Sequence, residues 1–228
     1  MDWLPDFVAA VLAAVLAITL HEAAHGYAAR ALGDDTAARM GRLSLNPLRH
    51  VDPVGTLLVP GLLLVSQLLT TGRMDVMFGW AKPVPVDVAR LRDPRFGMVL
   101  VAAAGPAINI ALATLAALLL RPLVGPGSDN VTDWLRGFLF LSLLGNLVLA
   151  CFNLLPIPPL DGGRILGGLL PPALGIPFLR LERFGLLVVL LAIVVLPMAV
   201  PGFDPMRWVV RTMVQPLGGL ILAVTGHG

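Results

Sequence analysis

The chain has 228 residues, 57% of them hydrophobic and only 13% charged, with a mean hydropathy of +0.87. A water-soluble domain of this size cannot hide that much apolar surface, so the bilayer is the default environment. The net charge of +2 is too small, and Lys and Arg too scattered, for a nucleic-acid partner, and the one cysteine, Cys151, excludes an internal disulfide and reads as a buried, inert thiol.

In chain order, the first apolar run predicts a membrane helix from about Pro5 to Leu32, stopping at Gly33 before the polar Asp34-Asp35-Thr36. Asp2 and Asp6 stand where a leader would carry positive charge, so the run reads as a retained helix. A polar loop over 33–52 holds Arg39, Arg42 and Arg49, and the apolar stretch 54–70 is interrupted by Gly55, Pro60 and Gly61. The Pro-Val alternation of Lys82-Pro83-Val84-Pro85-Val86 disfavours helix and predicts a short extended hairpin near 78–88. Further helices are predicted over about 96–120, 134–155 and 183–200, with a weaker one over 205–224; the first of these carries a small-residue patch, Ala104-Gly105-Pro106-Ala107-Ile108-Asn109, suited to close helix contact. The expectation is an all-α integral-membrane bundle of about five to six membrane segments, forming a single domain over 1–228.

Chemistry concentrates in His21-Glu22-Ala23-Ala24-His25. Residues four apart on a helix lie on one face about 6 Å apart along the axis, so both imidazoles reach one zinc and Glu22 sits beside it as a general base for water. A catalytic zinc needs a third protein ligand and an open position. His50 and His227 lie in a loop and at the C-terminus, whereas Asp161 follows a Pro-rich break after an apolar helix and precedes Gly162 and Gly163, which makes Asp161 the better third donor. A carboxylate at membrane depth costs about 2.5 to 3.5 kcal/mol on insertion scales, and such groups are normally partnered or metal-bound. Two imidazoles and a carboxylate would also suit iron or cobalt.

These residues, with Ala104-Gly105-Pro106, Asn109 and the run Asn153-Leu154-Leu155-Pro156-Ile157-Pro158-Pro159-Leu160-Asp161-Gly162-Gly163-Arg164, resemble the site-2 protease family of intramembrane zinc metalloproteases. The segment Gly79 to Val86 resembles the short subgroup without PDZ or CBS domains. The resemblance implies one zinc per chain on His21, His25 and Asp161, Glu22 as base, and Asn153 as a substrate-orienting or oxyanion-stabilising residue, for which a helix-capping or interhelical hydrogen bond is the alternative. For Asn109, helix packing is the favoured reading. Trp80 and Lys82 fit either a substrate-facing edge strand or an interfacial anchor. The implied partners are the lipid bilayer and a transmembrane protein or peptide substrate, with no nucleic acid; the oligomeric state is left open. The rival readings are a non-proteolytic metal-binding membrane protein and a metal or proton transporter, the latter disfavoured by the lack of paired repeats.

Topology follows from convergence of the motifs. If 54–70 crosses the membrane fully, helix 1 and the 134–155 helix run antiparallel and their motifs separate; if it dips and returns, they run parallel and meet. The dip divides the 16 Lys and Arg as 12 to 4 between the two sides, the crossing as 8 to 8. The positive-inside rule therefore favours a re-entrant 54–70 element and an active site towards the cytoplasm. The expected location is the plasma membrane of a prokaryote.

Overall fold

A stripe of residues four apart organises the first helix, α1 (Trp3–Ala31): Ala9, Ala13, Ala17, His21, His25 and Ala29 are all buried. Small side chains at this spacing let neighbouring helices approach closely, while Leu4, Phe7, Val11 and Leu16 face outward. Large apolar residues outside and small ones inside invert the soluble pattern and suit a lipid surround.

The computed structural model describes residues 3–70, 81–123, 129–191, 200 and 204–227. The regular elements among the described residues are all helices, and three of them are long and apolar enough to cross a bilayer: Leu4–Ala31, Pro94–Leu123 and Asn130–Asn153. In the fold these are α1, α4 (Pro94–Leu120) and α5 (Asn130–Asn153), with the short α2 (Thr36–Arg39) and α3 (Val59–Thr70) between α1 and α4. At 27 residues α4 is about 40 Å long, more than the roughly 30 Å of a hydrocarbon core. Downstream lie α6 (Asp161–Leu169), α7 (Pro172–Leu179), α8 (Gly185–Leu190), α9 (Pro205–Val209) and α10 (Gln215–Val224), the last two joined by a π-helical turn over Val210–Val214. The predicted 183–200 helix is thus described as far as α8, and its remainder lies largely outside the described residues.

α1, α4 and α5 pack against one another, and the C-terminal segment seats Val209, Val214 and Ile221 in the core formed by Ala113, Ala117, Leu139, Leu143 and Cys151. The directions of the helices are fixed by bonds at their ends. Trp134 Nε1, at the start of α5, donates to Pro5 O near the start of α1 at 2.9 Å, so these two helices run parallel. The Arg92 amide donates to Leu32 O at 2.9 Å, so the chain leaves α1 and enters α4 at the same end.

One expectation gains detail and another changes. The interruption of the 54–70 stretch takes the form of a change of helix type: a π-helical turn over Pro53–Leu58 runs directly into α3, the Val59 amide still bonds back to Val54 O, and Pro60 withholds the next such bond just after the junction. The hairpin near 78–88 has no ladder among the described residues. Residues 81–87 run irregularly without a strand partner, and 78–80, including Trp80, lie outside the described residues.

Candidate metal and active site

The site forms where α1, α4 and the start of α6 meet. α6 is brought there by close backbone contact: a Cβ on Gly162 would lie 2.2 Å from Leu154 O, and one on Gly163 2.5 Å from Pro158 N. Only glycine permits this turn, which places Asp161 at the first position of a helix, where the dipole favours a carboxylate. The far end of α6 is pinned to α4 by Arg95, whose Nε donates to Gly168 O at 2.7 Å and whose Nη2 donates to Leu170 O at 2.7 Å. These are the C-terminal carbonyls that a helix leaves unpaired.

His21, His25 and Asp161 converge as the sequence expectation requires. His21 Nδ1 lies 2.6 Å from Asn109 Oδ1, and His25 Nδ1 lies 2.7 Å from Val101 O. Carbonyl oxygens only accept, so each ring donates from Nδ1, and in the neutral ring the inward-facing Nε2 carries the lone pair. The two Nε2 atoms are 3.1 Å apart, and Asp161 Oδ2 lies 3.2 Å from one and 3.4 Å from the other. Asp161 Oδ2 is buried without a hydrogen-bond partner among the described residues. Three lone-pair-bearing atoms that face one another repel unless a shared proton or a metal ion sits among them. Tetrahedral zinc with ligand bonds of the usual length sets neighbouring donors about 3.3 Å apart, which is the spacing found. The residues present therefore fit the metal, and among the described residues this is the one such group of donors.

Glu22 projects from the same turn, half-buried, and its Oε2 accepts the Val84 amide at 2.9 Å. The 81–87 segment is thereby tied across α1. The Lys82 amide donates to His50 O at 2.8 Å, the Asp87 amide to Asp34 Oδ2 at 2.7 Å, and the Val84 side chain fills the notch beside Gly26. Asp34, buried in the loop after α1, anchors the end of this strap. Burial pushes its carboxyl up, but bonds from the Thr36 hydroxyl and amide and from the Asp87 amide outweigh burial and hold it below the usual carboxylate range.

Asn153 stands apart from this cluster in its bonding. On the last turn of α5, its Nδ2 donates to Leu149 O at 3.0 Å, a bond within its own helix. Asn109 is fully buried against His21, a placement beyond the helix-packing role read from sequence. Two further features were missed. Gly105 forms the floor under the imidazoles, since a Cβ there would lie 2.4 Å from His25 Nε2 and 2.6 Å from His21 Cε1. Asn146, a polar residue in mid-helix of an apolar span, bonds Asn109; polarity at membrane depth was the available signal.

A buried set of two imidazoles and a carboxylate in a bundle of apolar helices, with a glutamate beside it, defines a membrane-embedded metallohydrolase. Comparison with known proteins narrows the class. Residues 123–196 match the family model described as Peptidase family M50. The chain is 37% identical over 217 residues to a candidate zinc metalloprotease, YwhC, of Bacillus subtilis (strain 168), covering 91% of this chain and 93% of that one. It is 28% identical to the candidate zinc metalloprotease Rip2 of Mycolicibacterium smegmatis, over 85% of this chain and 70% of the relative. To Rip2 of Mycobacterium tuberculosis (strain H37Rv) it is 32% identical, over 68% of this chain and 55% of the relative. No solved structure matches it significantly. The chain belongs to peptidase family M50, the site-2 proteases, and is a zinc-dependent membrane peptidase of that type.

Proposed function

We propose that His21 Nε2, His25 Nε2 and Asp161 Oδ2 hold the zinc and that Glu22 is the general base for hydrolysis of peptide bonds in or beside transmembrane segments. The observation that carries this reading is the triangle of donor atoms 3.1, 3.2 and 3.4 Å on edge, with an unpartnered carboxylate oxygen at one corner. Zinc bound there supplies a Lewis acid for the scissile carbonyl and lowers the pKa of water. The chain's own residues do the rest. Val84 holds Glu22 Oε2, which leaves Oε1 to take the proton of the attacking water and return it to the departing amine nitrogen. Asn153 retains a second Nδ2 hydrogen with which to orient substrate near Asp161. Lys82, exposed on the strap beside Glu22, lies where an extended substrate would pass.

The substrate is a membrane protein whose helix must unwind locally, because a helix hides its carbonyls from attack. Stripping the purified protein with a chelator is expected to abolish cleavage of single-span substrates, followed by mass spectrometry, and equimolar zinc to restore it. Cleavage that survives complete metal removal would refute the assignment.

The whole chain acts as one membrane-embedded domain of five to six segments, with the active site towards the cytoplasm of a prokaryotic plasma membrane. The Leu32–Arg92 bond and the parallel α1 and α5 support re-entry by the 54–70 element, since a segment that leaves and returns at one end makes no net crossing. The described part of this element is helical and exposes Leu58, Leu62, Val65 and Leu69, so its backbone bonds are satisfied within it and its apolar side chains suit lipid contact. In cells, Thr71→Cys and Arg73→Cys variants are expected to react with a membrane-permeant thiol reagent and to resist an impermeant one added from outside. Labelling by the impermeant reagent would place these residues on the other face and remove the re-entrant topology.

A further inference from the structure

The hydrogen bond to His21 does not end at Asn109. Asn109 Oδ1 faces His21 Nδ1 at 2.6 Å, while its Nδ2 donates to Asn146 Oδ1 at 2.7 Å and to Ala17 O at 3.3 Å. Asn146 in turn donates from Nδ2 to Ser142 O at 2.8 Å. Both asparagines are buried, Asn109 at 0% and Asn146 at 4% exposure, so water offers neither an alternative partner.

Each link has a direction. Ser142 O is a backbone acceptor, so Asn146 must turn its NH2 towards it and its oxygen towards Asn109. Asn109 then faces two acceptors, Asn146 Oδ1 and Ala17 O, and must turn its NH2 to them, because a flipped amide would set oxygen against oxygen twice. That leaves only the Asn109 oxygen for His21, which must donate from Nδ1, so that the neutral ring holds its lone pair on Nε2. His25 reaches the same state through a single bond to the Val101 carbonyl, whose polarity is invariant. A side-chain amide has no such fixed polarity; for Asn109 it is set by Asn146 Oδ1 at 2.7 Å together with the longer bond to Ala17 O at 3.3 Å.

We propose that Asn146, acting through Asn109, is a positioning residue that fixes the tautomer of His21 and so makes its Nε2 a metal donor. The proposal rests on the reading of His21 as a ligand. It assigns a role to α5 besides that of leading the chain to Asp161: α5 also sets the proton position on a histidine of α1, through α4.

The test uses the full chain in detergent with nitrogen-15 histidine, of which there are four. In the metal-free wild type, His21 is expected to give the signature of the Nδ1–H tautomer, and Asn146→Leu, which keeps bulk but removes the amide, a mixture of tautomers. Competition with a chromogenic chelator is expected to show zinc affinity falling about ten- to a hundredfold in Asn146→Leu. Asn109→Ala combined with Asn146→Leu is expected to lose no more than Asn109→Ala alone, since both act along one chain. A purely structural role would lower the melting temperature and leave the tautomer unmoved. The Nε2–H form in the wild type, unchanged zinc affinity in Asn146→Leu, or losses that multiply in the double variant would each overturn the proposal. If Asn146→Leu does not fold, the wild-type spectrum decides alone. A wild type that binds no zinc would count against the ligand assignment, with the tautomer measurement still deciding the relay.

Discussion

Gly105→Ala is expected to lose zinc and proteolysis together while the helical bundle stays folded. The added methyl would lie 2.4 Å from His25 Nε2, 2.5 Å from His25 Cε1 and 2.6 Å from His21 Cε1, all inside the distance that real Cβ atoms keep. The rings cannot swing aside freely, because each Nδ1 is held at 2.6 or 2.7 Å by Asn109 or Val101. Either the donor triangle opens or α4 retreats and takes both of those bonds with it. Metal sites tolerate only about 0.2 Å of ligand displacement, and a misplacement near 1 Å costs on the order of a hundredfold in rate. Gly137→Ala and Gly145→Ala provide the control, since a Cβ at either position of α5 meets nothing within 4 Å. Metal per chain after dialysis, cleavage rate and melting temperature are the readouts. Full zinc occupancy in Gly105→Ala would show that α4 does not form the floor of the site.

Glu22→Gln separates chemistry from binding. The amide has the shape of the carboxylate and its oxygen can still accept the Val84 amide, so the strap stays in place. It cannot take a proton from water. Turnover is expected to fall by about a hundred- to ten-thousandfold, the usual worth of a positioned acid–base group, with zinc content and affinity at wild-type levels. The pair of variants thus divides the site: one removes metal and rate, the other rate alone. Wild-type turnover in Glu22→Gln would make some other group the base.

The parts of this site that were legible in the sequence are those that depend on one helix at a time. The four-residue spacing of His21 and His25 places both rings on one face whatever else the helix touches. Asp161 announced itself as a carboxylate after a proline break in an apolar chain. The parallel run of α1 and α5 followed from the need for these motifs to meet. What stayed hidden depends on which helix passes beneath which. Gly105 reads as one small residue among several, and only the crossing of α4 under α1 turns it into the floor of a metal site. Asn146 needed a partner on α4 before its polarity had meaning.

The strap over Glu22 carries an asymmetry in its backbone. Between Lys82 and Pro85, the amides of Lys82 and Val84 are spent on His50 O and Glu22, and Pro83 and Pro85 have none to offer. The Lys82 and Pro83 carbonyls accept from Arg42 Nη2 at 2.9 and 3.3 Å, so the edge formed by these four residues offers no free backbone N–H and only the carbonyls of Val84 and Pro85 beyond those that Arg42 covers. Two copies of such an edge cannot zip together, which protects an extended segment at an open site from pairing with itself. A foreign chain laid alongside gains only where it brings N–H groups of its own, so a proline-rich peptide would find nothing there to hold.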